Sequence, residues 1–508
     1  MLSATRAASA PGGGLSTRRR WAALCVLVLP VVLVAVDNTV LAFAVPAISE
    51  ALRPTGIQVL WMVDIYPLVL AGLLVPMGSL GDRIGRRRLL LIGASGFAAV
   101  SAAAAFAPSA SWLVVARAAM GVFGSMLMPA TLSLIRNVFV DARERRIAIA
   151  VWAAGMSGGA ALGPILGGFL LEHFGWPAVF WMAAPVLVPL LVLGPLLVPE
   201  SRDPRPGPID VVSIGLVLAT MTPLVWGIKH LSSVGPDAAA AVALAVSVLG
   251  GVTFVRRQLR REIPMLDVRL FTNPVFSGSV FANLLSMFAL VGFFYFAAQH
   301  LQLSSGMSPM LAGLFLLPGT VATAVAGLLV VRVVERVRPS RVVAGGIAIN
   351  ALGYVVVLAT QGWWLDAGLM AAFILIGLGS GAAETISNDL ILASVPAAKA
   401  GAASAISETA YEVGSVLGTA VLGSVLTAVY TTRVAVPDGL APQDAAAAGQ
   451  TLGGATDVAG RLDPARAEAL LSSAREAFDS GVLYTSWIAV AVLTVAAVVA
   501  LRALRTAS

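Results

Sequence analysis

Charge is what this chain has least of. Of its 508 residues only 12% are Asp, Glu, Lys or Arg, about half the share of a soluble globular domain, and the mean hydropathy is +0.91. Those values exclude an ordinary soluble enzyme and leave an all-α polytopic membrane protein. Cysteine is nearly absent: the one thiol, Cys25, has no partner within the chain for a disulfide and makes a thiolate metal site improbable. The three histidines, His173, His230 and His300, stand far apart without metal-ligand spacing, and each reads as an outer-rim residue. Lysine occurs only at 229 and 399, and neither belongs to a GxxxxGK[ST] loop, which excludes ATP hydrolysis at a Walker site. No nucleophile constellation is present either, so the chain does not read as an enzyme and implies no cofactor. The net charge of +7 does not point to nucleic acid, because the arginines lie in short clusters between apolar runs, as topology signals do.

The apolar runs are the dominant feature. They fall at 22–48, 57–80, 89–107, 111–136, 147–171, 177–198, 209–229, 238–255, 274–299, 309–333, 341–360, 364–395, 402–430 and 482–502. Crossing a hydrocarbon core takes about 20 residues, so fourteen spans are predicted. The first follows Arg18, Arg19 and Arg20 and carries Asp37; it is longer than the roughly 7–15 residues of a signal-peptide core and reads as an uncleaved span. With a cytoplasmic N-terminus, 26 of the 33 basic residues, Lys399 among them, fall on the cytoplasmic side. Both termini are therefore expected in the cytoplasm, with the protein in the inner membrane. Lys229 falls to the opposite side in this scheme, and Arg117 is the only basic residue placed deep within a span.

The 10–11 connection, VVERVRPSR, places Glu335, Arg336 and Arg341 as the 2–3 turn places Asp82, Arg83 and Arg88. A repeat of six spans plus six accounts for this, the arrangement by which transporters build alternating access around a midplane site. The expected division is a cytoplasmic tail (1–20), a first half (21–198), two inserted helices with their loops (199–272) and a second half (273–508). The second half includes an outer loop over 431–480. Within that loop Asp463-Pro464 signals a helix start, and Leu470, Leu471, Ala474 and Phe478 share one face, which predicts a short helical lid. The acids of the loop read as solvated.

Several intramembrane residues carry chemistry. A lone guanidinium in hydrocarbon is expensive, so Arg117 needs a cavity and a partner; Asp37 is the natural candidate, as a coupling pair or as a purely structural one. Asp64 in span 2, Glu384 and Asp389 in span 12, and Glu408 and Glu412 in span 13 are proton carriers or counter-ions by default. Glu408 and Glu412, four apart, share a helical face, whereas Asp389 sits near the cytoplasmic end as a possible helix cap. Aromatics close in sequence, Trp61, Tyr66, Phe293, Phe294, Tyr295, Phe296 and Tyr411, offer cation–π surfaces, though Trp61 and the span-9 group read as interface or packing residues.

Four motifs, in order and in the appropriate spans, carry a family resemblance. They are VDNTVLAFAVP (Val36 to Pro46), the turn GSLGDRIGRRR (Gly78 to Arg88), Arg117 with Gly121 and Gly124, and GMSGGAALGPILGG (Gly155 to Gly168). The chain resembles the major facilitator superfamily, specifically its fourteen-span drug/proton antiporters of the quaternary-ammonium and multidrug type. The resemblance implies two six-helix bundles plus two inserted helices. It implies a latch between halves at Gly78, Gly81, Asp82, Arg83, Gly85 and Arg86, engaged in the outward-facing state. It implies an antiporter motif and pivot at Gly155, Gly159, Gly163, Pro164, Gly167 and Gly168. Proton coupling is expected at Asp37, Arg117 and Asp64, and substrate binding at Asp64, Glu384, Glu408, Tyr411 and Glu412. The partners implied are small cationic drugs, protons and membrane lipid, for a monomer that exports lipophilic cations. A dedicated exporter of one natural product is the alternative; a non-transporting membrane sensor fits the paired intramembrane acids poorly.

Overall fold

In a computed structural model the protein is described over residues 16–202, 210–262, 264–360, 365–395 and 400–505. Lys399, counted above among the cytoplasmic charges, and the first 15 residues of the tail lie outside the described residues. The described chain is helical, with elements α1 (Thr17–Leu52), α2 (Gly56–Ile84), α3 (Arg86–Ala104), α4 (Ala110–Val138), α5 (Ala142–Phe174), α6 (Pro177–Trp181), α7 (Ala183–Leu197), α8 (Val211–Ser233) and α9 (Ala238–Arg260). It continues through α10 (Pro274–Gln299), α11 (Pro309–Val334), α12 (Pro339–Ala359), α13 (Leu365–Ala393), α14 (Ala400–Leu417), α15 (Ser424–Arg433), α16 (Pro442–Gln450), α17 (Leu452–Ala459) and α18 (Pro464–Ala503). Thirteen segments are long and apolar enough to cross a membrane, and the two parts of α5, Ile147–Ala160 and Leu162–Phe174, bent by 43°, supply a fourteenth. With no water in hydrocarbon to satisfy the backbone, helix is the form such runs must take.

The chain marks its own helix starts. Proline stands at the head of α10, α11, α12 and α18, where its missing N–H is no loss. Thr55 and Gln58 form a reciprocal capping box at α2. Asp463 caps α18 as expected, yet the predicted short lid helix is not separate. Asp479-Ser480-Gly481, a turn-type stretch in the sequence, stays helical with Gly481 packed against Leu426, so lid and last span form one helix of 40 residues. The sixth span, in contrast, is broken after Trp181 into α6 and α7.

Two ends of the bundle can be distinguished: a terminal face, which carries the start of α1 and the end of α18, and a loop face, which carries α16 and α17. On the loop face α1, α2 and α5 meet the later helices. Gln302 donates to the Phe43 carbonyl at 3.2 Å, Ser308 to Glu172 at 3.1 Å, and the Gly56 N–H to Gln450 at 3.4 Å. The acids of the loop are not simply solvated: Asp457 pairs with Arg53 at 3.0 Å and Asp444 with Arg461 at 3.1 Å, which ties α16 and α17 to the end of α1.

The helices α8 and α9 pack on one another. Asp210 caps α8 and binds Arg257 of α9 at 3.0 Å. Burial works to raise the Asp210 carboxyl, but hydrogen bonds from Arg257 and Ser213 outweigh it and hold the group down at about 2. On its other side α8 lies against α2 and α15.

Glycines set the closest helix approaches. In α5, Gly159 and Gly163 lie against Val32 and Val36 of α1, while Gly168 lies against the Met310 backbone of α11. Gly313 of α11 returns the contact on Pro164: a Cβ there would stand 2.3 Å from the Pro164 carbonyl oxygen, and one on Gly168 2.4 Å from Met310 Cα. Neither obstacle is a flexible side chain. Gly168→Ala and Gly313→Ala are therefore each expected to force α5 and α11 apart at a cost of about 1–3 kcal/mol. A lower melting temperature of the detergent-solubilised protein is the readout, with Gly158→Ala, where a Cβ meets nothing, unchanged.

Candidate functional site

The intramembrane charges separate into three groups. In the first, Arg117 of α4 donates from Nη1 to Asp37 Oδ2 of α1 at 2.6 Å, and from Nε to the Met62 carbonyl of α2 at 3.3 Å. Both side chains are sealed, at 2% and 5% exposure. The guanidinium also lies over the Tyr66 ring at 4.5 Å, and Gly124 makes room for that ring, since a Cβ there would meet the Tyr66 hydroxyl at 3.0 Å. Span 4 thus needs its small residues to let a tyrosine and an arginine lie side by side.

The second group corrects the topology reading. Lys229 is not an outer-connection residue: it is buried within α8, and its ammonium binds Asp64 of α2 at 2.8 Å, both side chains being 1% exposed. Trp61, expected at an interface, covers the same ammonium at 4.1 Å. Trp61 in turn packs on an apolar cluster of Leu68, Val225, Val416 and Ala420. Arg117 is accordingly not the only cation deep in a span. The signal was present in the sequence, since Asp64 lacked a partner and Lys229 closed an apolar run, but run-end position and the positive-inside count both assigned the lysine to solvent.

The third group is half open. Glu384 of α13 and Glu408, Tyr411 and Glu412 of α14 are partly exposed. Among the described residues no arginine or lysine pairs with these three glutamates. One oxygen of Glu384, Oε1, is buried without a hydrogen-bond partner. Tyr411 is held in place by Asn388, whose amide donates to the phenol at 3.0 Å. Asn388 is fixed in turn by Asn283 at 2.9 Å and Ser407 at 2.6 Å. This polar chain through α10, α13 and α14 was not anticipated; its members are single uncharged residues in apolar runs, which composition does not flag. Asp389 is exposed at its end of α13. The span-9 aromatics are packing residues: Phe293 stacks on Phe373 at 5.4 Å and meets Phe296 and Tyr354 edge-on.

The residues of the expected latch contact the chain that leaves α7. Arg86 binds Asp82 at 2.9 Å and Ser201 Oγ at 3.2 Å. Glu200, which follows α7, accepts from the backbone N–H groups of Arg87 at 3.0 Å and Arg88 at 3.2 Å. A carboxylate at the start of α3 satisfies donors that the helix leaves unpaired. Gly85 has φ +110°, and a Cβ there would strike the Glu200 carboxyl at 2.7 Å, so this turn requires glycine twice over. Gly78 faces Pro129 and Gly81 faces Leu89 and Arg86. In the expected antiporter motif Gly155 meets Val28 and Gly167 meets Val40, again along α1.

The histidines differ from one another. His173 is exposed and its ring stacks on Phe169, but His300 is no rim residue: it is buried between Asp366 of α13 at 3.3 Å and Asp479 of α18 at 3.0 Å.

The chain matches known proteins over most of its length. The Major Facilitator Superfamily profile matches residues 27–419. The chain is 56% identical, over 95% of its length and 95% of the relative's, to the multidrug efflux pump LfrA of Mycolicibacterium smegmatis. It is 39% identical, over 91% and 93%, to the methyl viologen resistance protein SmvA of Salmonella typhimurium. Among solved structures, a bacterial homologue of the human lysosomal transporter Spinster superposes with a TM-score of 0.66 at 18% identity, covering 96% of this chain and 99% of that one.

Removing one member of a sealed ion pair strands the other charge, at a cost of about 3–5 kcal/mol. Arg117→Met is therefore expected to lower the melting temperature of the purified protein markedly, and Asp37→Asn in the same chain to restore most of the loss. A double variant as unstable as the single one would count against the pairing.

Proposed function

Given that the chain belongs to the Major Facilitator Superfamily, we propose that it is a proton-coupled multidrug efflux antiporter of the inner membrane that exports lipophilic cations. The resemblance of the whole chain to a multidrug efflux pump and to a methyl viologen resistance protein supports this reading. The observation that carries it is the half-open group of Glu384, Glu408 and Glu412, which no fixed cation neutralises among the described residues. A carboxylate at membrane depth without a built-in counter-charge is neutral when it holds a proton and binds a cation when it does not. Substrate and proton then exclude one another from one place, and that exclusion is antiport.

In this reading the arginine-rich terminal face is cytoplasmic, and both termini lie there. The protein works as a monomer, with the first and second halves rocking about the contact of α5 with α11. Asp37 and Arg117 form the proton-coupling pair, and Asp64 is a further coupling and binding acid. Tyr411, steadied by Asn388, presents its ring to the guest between two glutamates; a flat or quaternary cation gains cation–π contact there. The turn at Gly78 to Arg86 is the conformational latch, and its contacts with Glu200 and Ser201, together with the closure of the loop face, support a state open to the cytoplasm. In that state a guest from the cytoplasm or inner leaflet reaches the glutamates, and closure of the terminal face carries it outward.

The test is efflux from proteoliposomes under an imposed pH difference, with one monovalent and one divalent dye. Asp37→Asn is expected to abolish gradient-driven efflux while the protein still inserts, and undiminished efflux would refute the assignment. Glu408→Gln is expected to shift the ratio of the two dye rates by about tenfold, the worth of one charge-assisted contact. An unchanged ratio removes Glu408 from the binding site.

A further inference from the structure

The Asp64–Lys229 pair is more than a neutralised charge. Its ammonium lies 2.8 Å from a carboxylate and 4.1 Å from the centre of an indole ring. A carboxylate on one side and an aromatic face on the other are the two groups that recognise an organic cation. Beside them stand Thr419, within the π-helical turn Gly418–Gly423 that joins α14 to α15, and Tyr295 of α10. Such turns interrupt a helix most often at functional places. The pocket thus takes Asp64 and Trp61 from α2, Thr419 from the chain between α14 and α15, and its occupant from α8. It lies where early and late helices meet, with α8 packed against α2 on one side and α15 on the other.

The occupant is tethered by four methylenes. A lysine side chain is a compact cation on a flexible stem with several rotatable bonds, unlike a planar guanidinium. Three alternatives were open to evolution at this depth: no carboxylate, a planar guanidinium pinned by a second acceptor, as Arg117 is between Asp37 and the Met62 carbonyl, or an ammonium on a flexible stem. The third is what the fold contains.

We propose that Lys229 is a tethered stand-in for the transported cation, holding the Asp64–Trp61 site whenever no guest is bound and competing with the guest for it. The proposal rests on the reading of Asp64 as a binding acid given above. It assigns a specificity role to the inserted helix α8. A guest must outcompete an ammonium of high effective concentration, so it must bring apolar or aromatic surface as well as charge. Small hydrated cations lose this contest, and Asp64 never stands ionised and empty.

The experiment measures binding of tetraphenylphosphonium to the purified full chain by equilibrium dialysis. When a competitor occupies a site for most of the time, apparent affinity falls by the free fraction; Lys229→Met is therefore expected to bind on the order of tenfold more tightly than wild type. Lys229→Arg, which keeps the charge, is expected to bind no more tightly than wild type. Asp64→Asn added to Lys229→Met is expected to cancel the gain. A lysine that only glues helices together predicts the opposite sign, because loosening the bundle weakens binding. Lys229→Met binding at or below the wild-type level, in protein that elutes as wild type does, overturns the proposal and leaves the Asp64 reading standing. A gain that survives Asp64→Asn refutes the Asp64 reading and the proposal with it.

Should Lys229→Met fail to fold, the wild-type chain carries the test. It has only two lysines, so amine acetylation at Lys229 can be read by mass spectrometry against Lys399. Saturating tetraphenylphosphonium is expected to raise the Lys229 signal severalfold by displacing the side chain. An unchanged or reduced signal overturns the proposal.

Discussion

A charge in hydrocarbon must be matched before it is buried, and this constraint sorts the whole interior. Arg117 and Lys229 are sealed only because Asp37 and Asp64 receive them at 2.6 Å and 2.8 Å. The Coulombic attraction in such surroundings largely offsets desolvation and leaves little net stabilisation. These pairs are therefore poor glue, and their retention points to use. The glutamates that lack a fixed partner sit where the interior is half open, which is where an unmatched carboxylate is tolerated. Matched charges deep, unmatched charges at the opening: the division follows from solvation alone.

Much of this was legible in the residues. Apolar runs, proline and acidic caps, and small-residue spacing specified the spans, because in lipid the backbone leaves few alternatives. Asp37 with Arg117 was legible for the same reason: one deep cation demanded one deep acid. Lys229 was not. It stands near the end of its run, and a residue-counting rule cannot distinguish a lysine that snorkels outward from one that turns inward to Asp64. His300 escaped for a related reason. Its partners Asp366 and Asp479 come from distant parts of the chain, and a lone histidine at a span end looks solvated until the fold brings two carboxylates to it. The continuity of α18 was hidden because Asp479-Ser480-Gly481 reads as a turn between a capped helix and an apolar run, whereas the fold uses Gly481 for close packing on Leu426 inside one helix.

The turn between α2 and α3 shows how one short motif serves two needs. Its arginines satisfy topology, but its glycines satisfy geometry, and the carboxylate they make room for comes from Glu200, more than a hundred residues later. Asp82, Arg86, Ser201 and Asn137 then form one polar patch. Arg86, Arg87 and Arg88 are thus held by Ser201 and Glu200, just after α7, while on the opposite face Gln302, Ser308 and Gln450 join early and late helices.

The unbroken course of α18 has a mechanical corollary. Forty residues at about 1.5 Å each make a rod about 60 Å long, roughly twice the thickness of the hydrocarbon layer. Its outer portion grips His300 through Asp479 and the backbone N–H of Ala435 through Ser473. A lever without a joint cannot pivot at one end and rest at the other: whenever the membrane portion leans, the cap on the far side must swing with it.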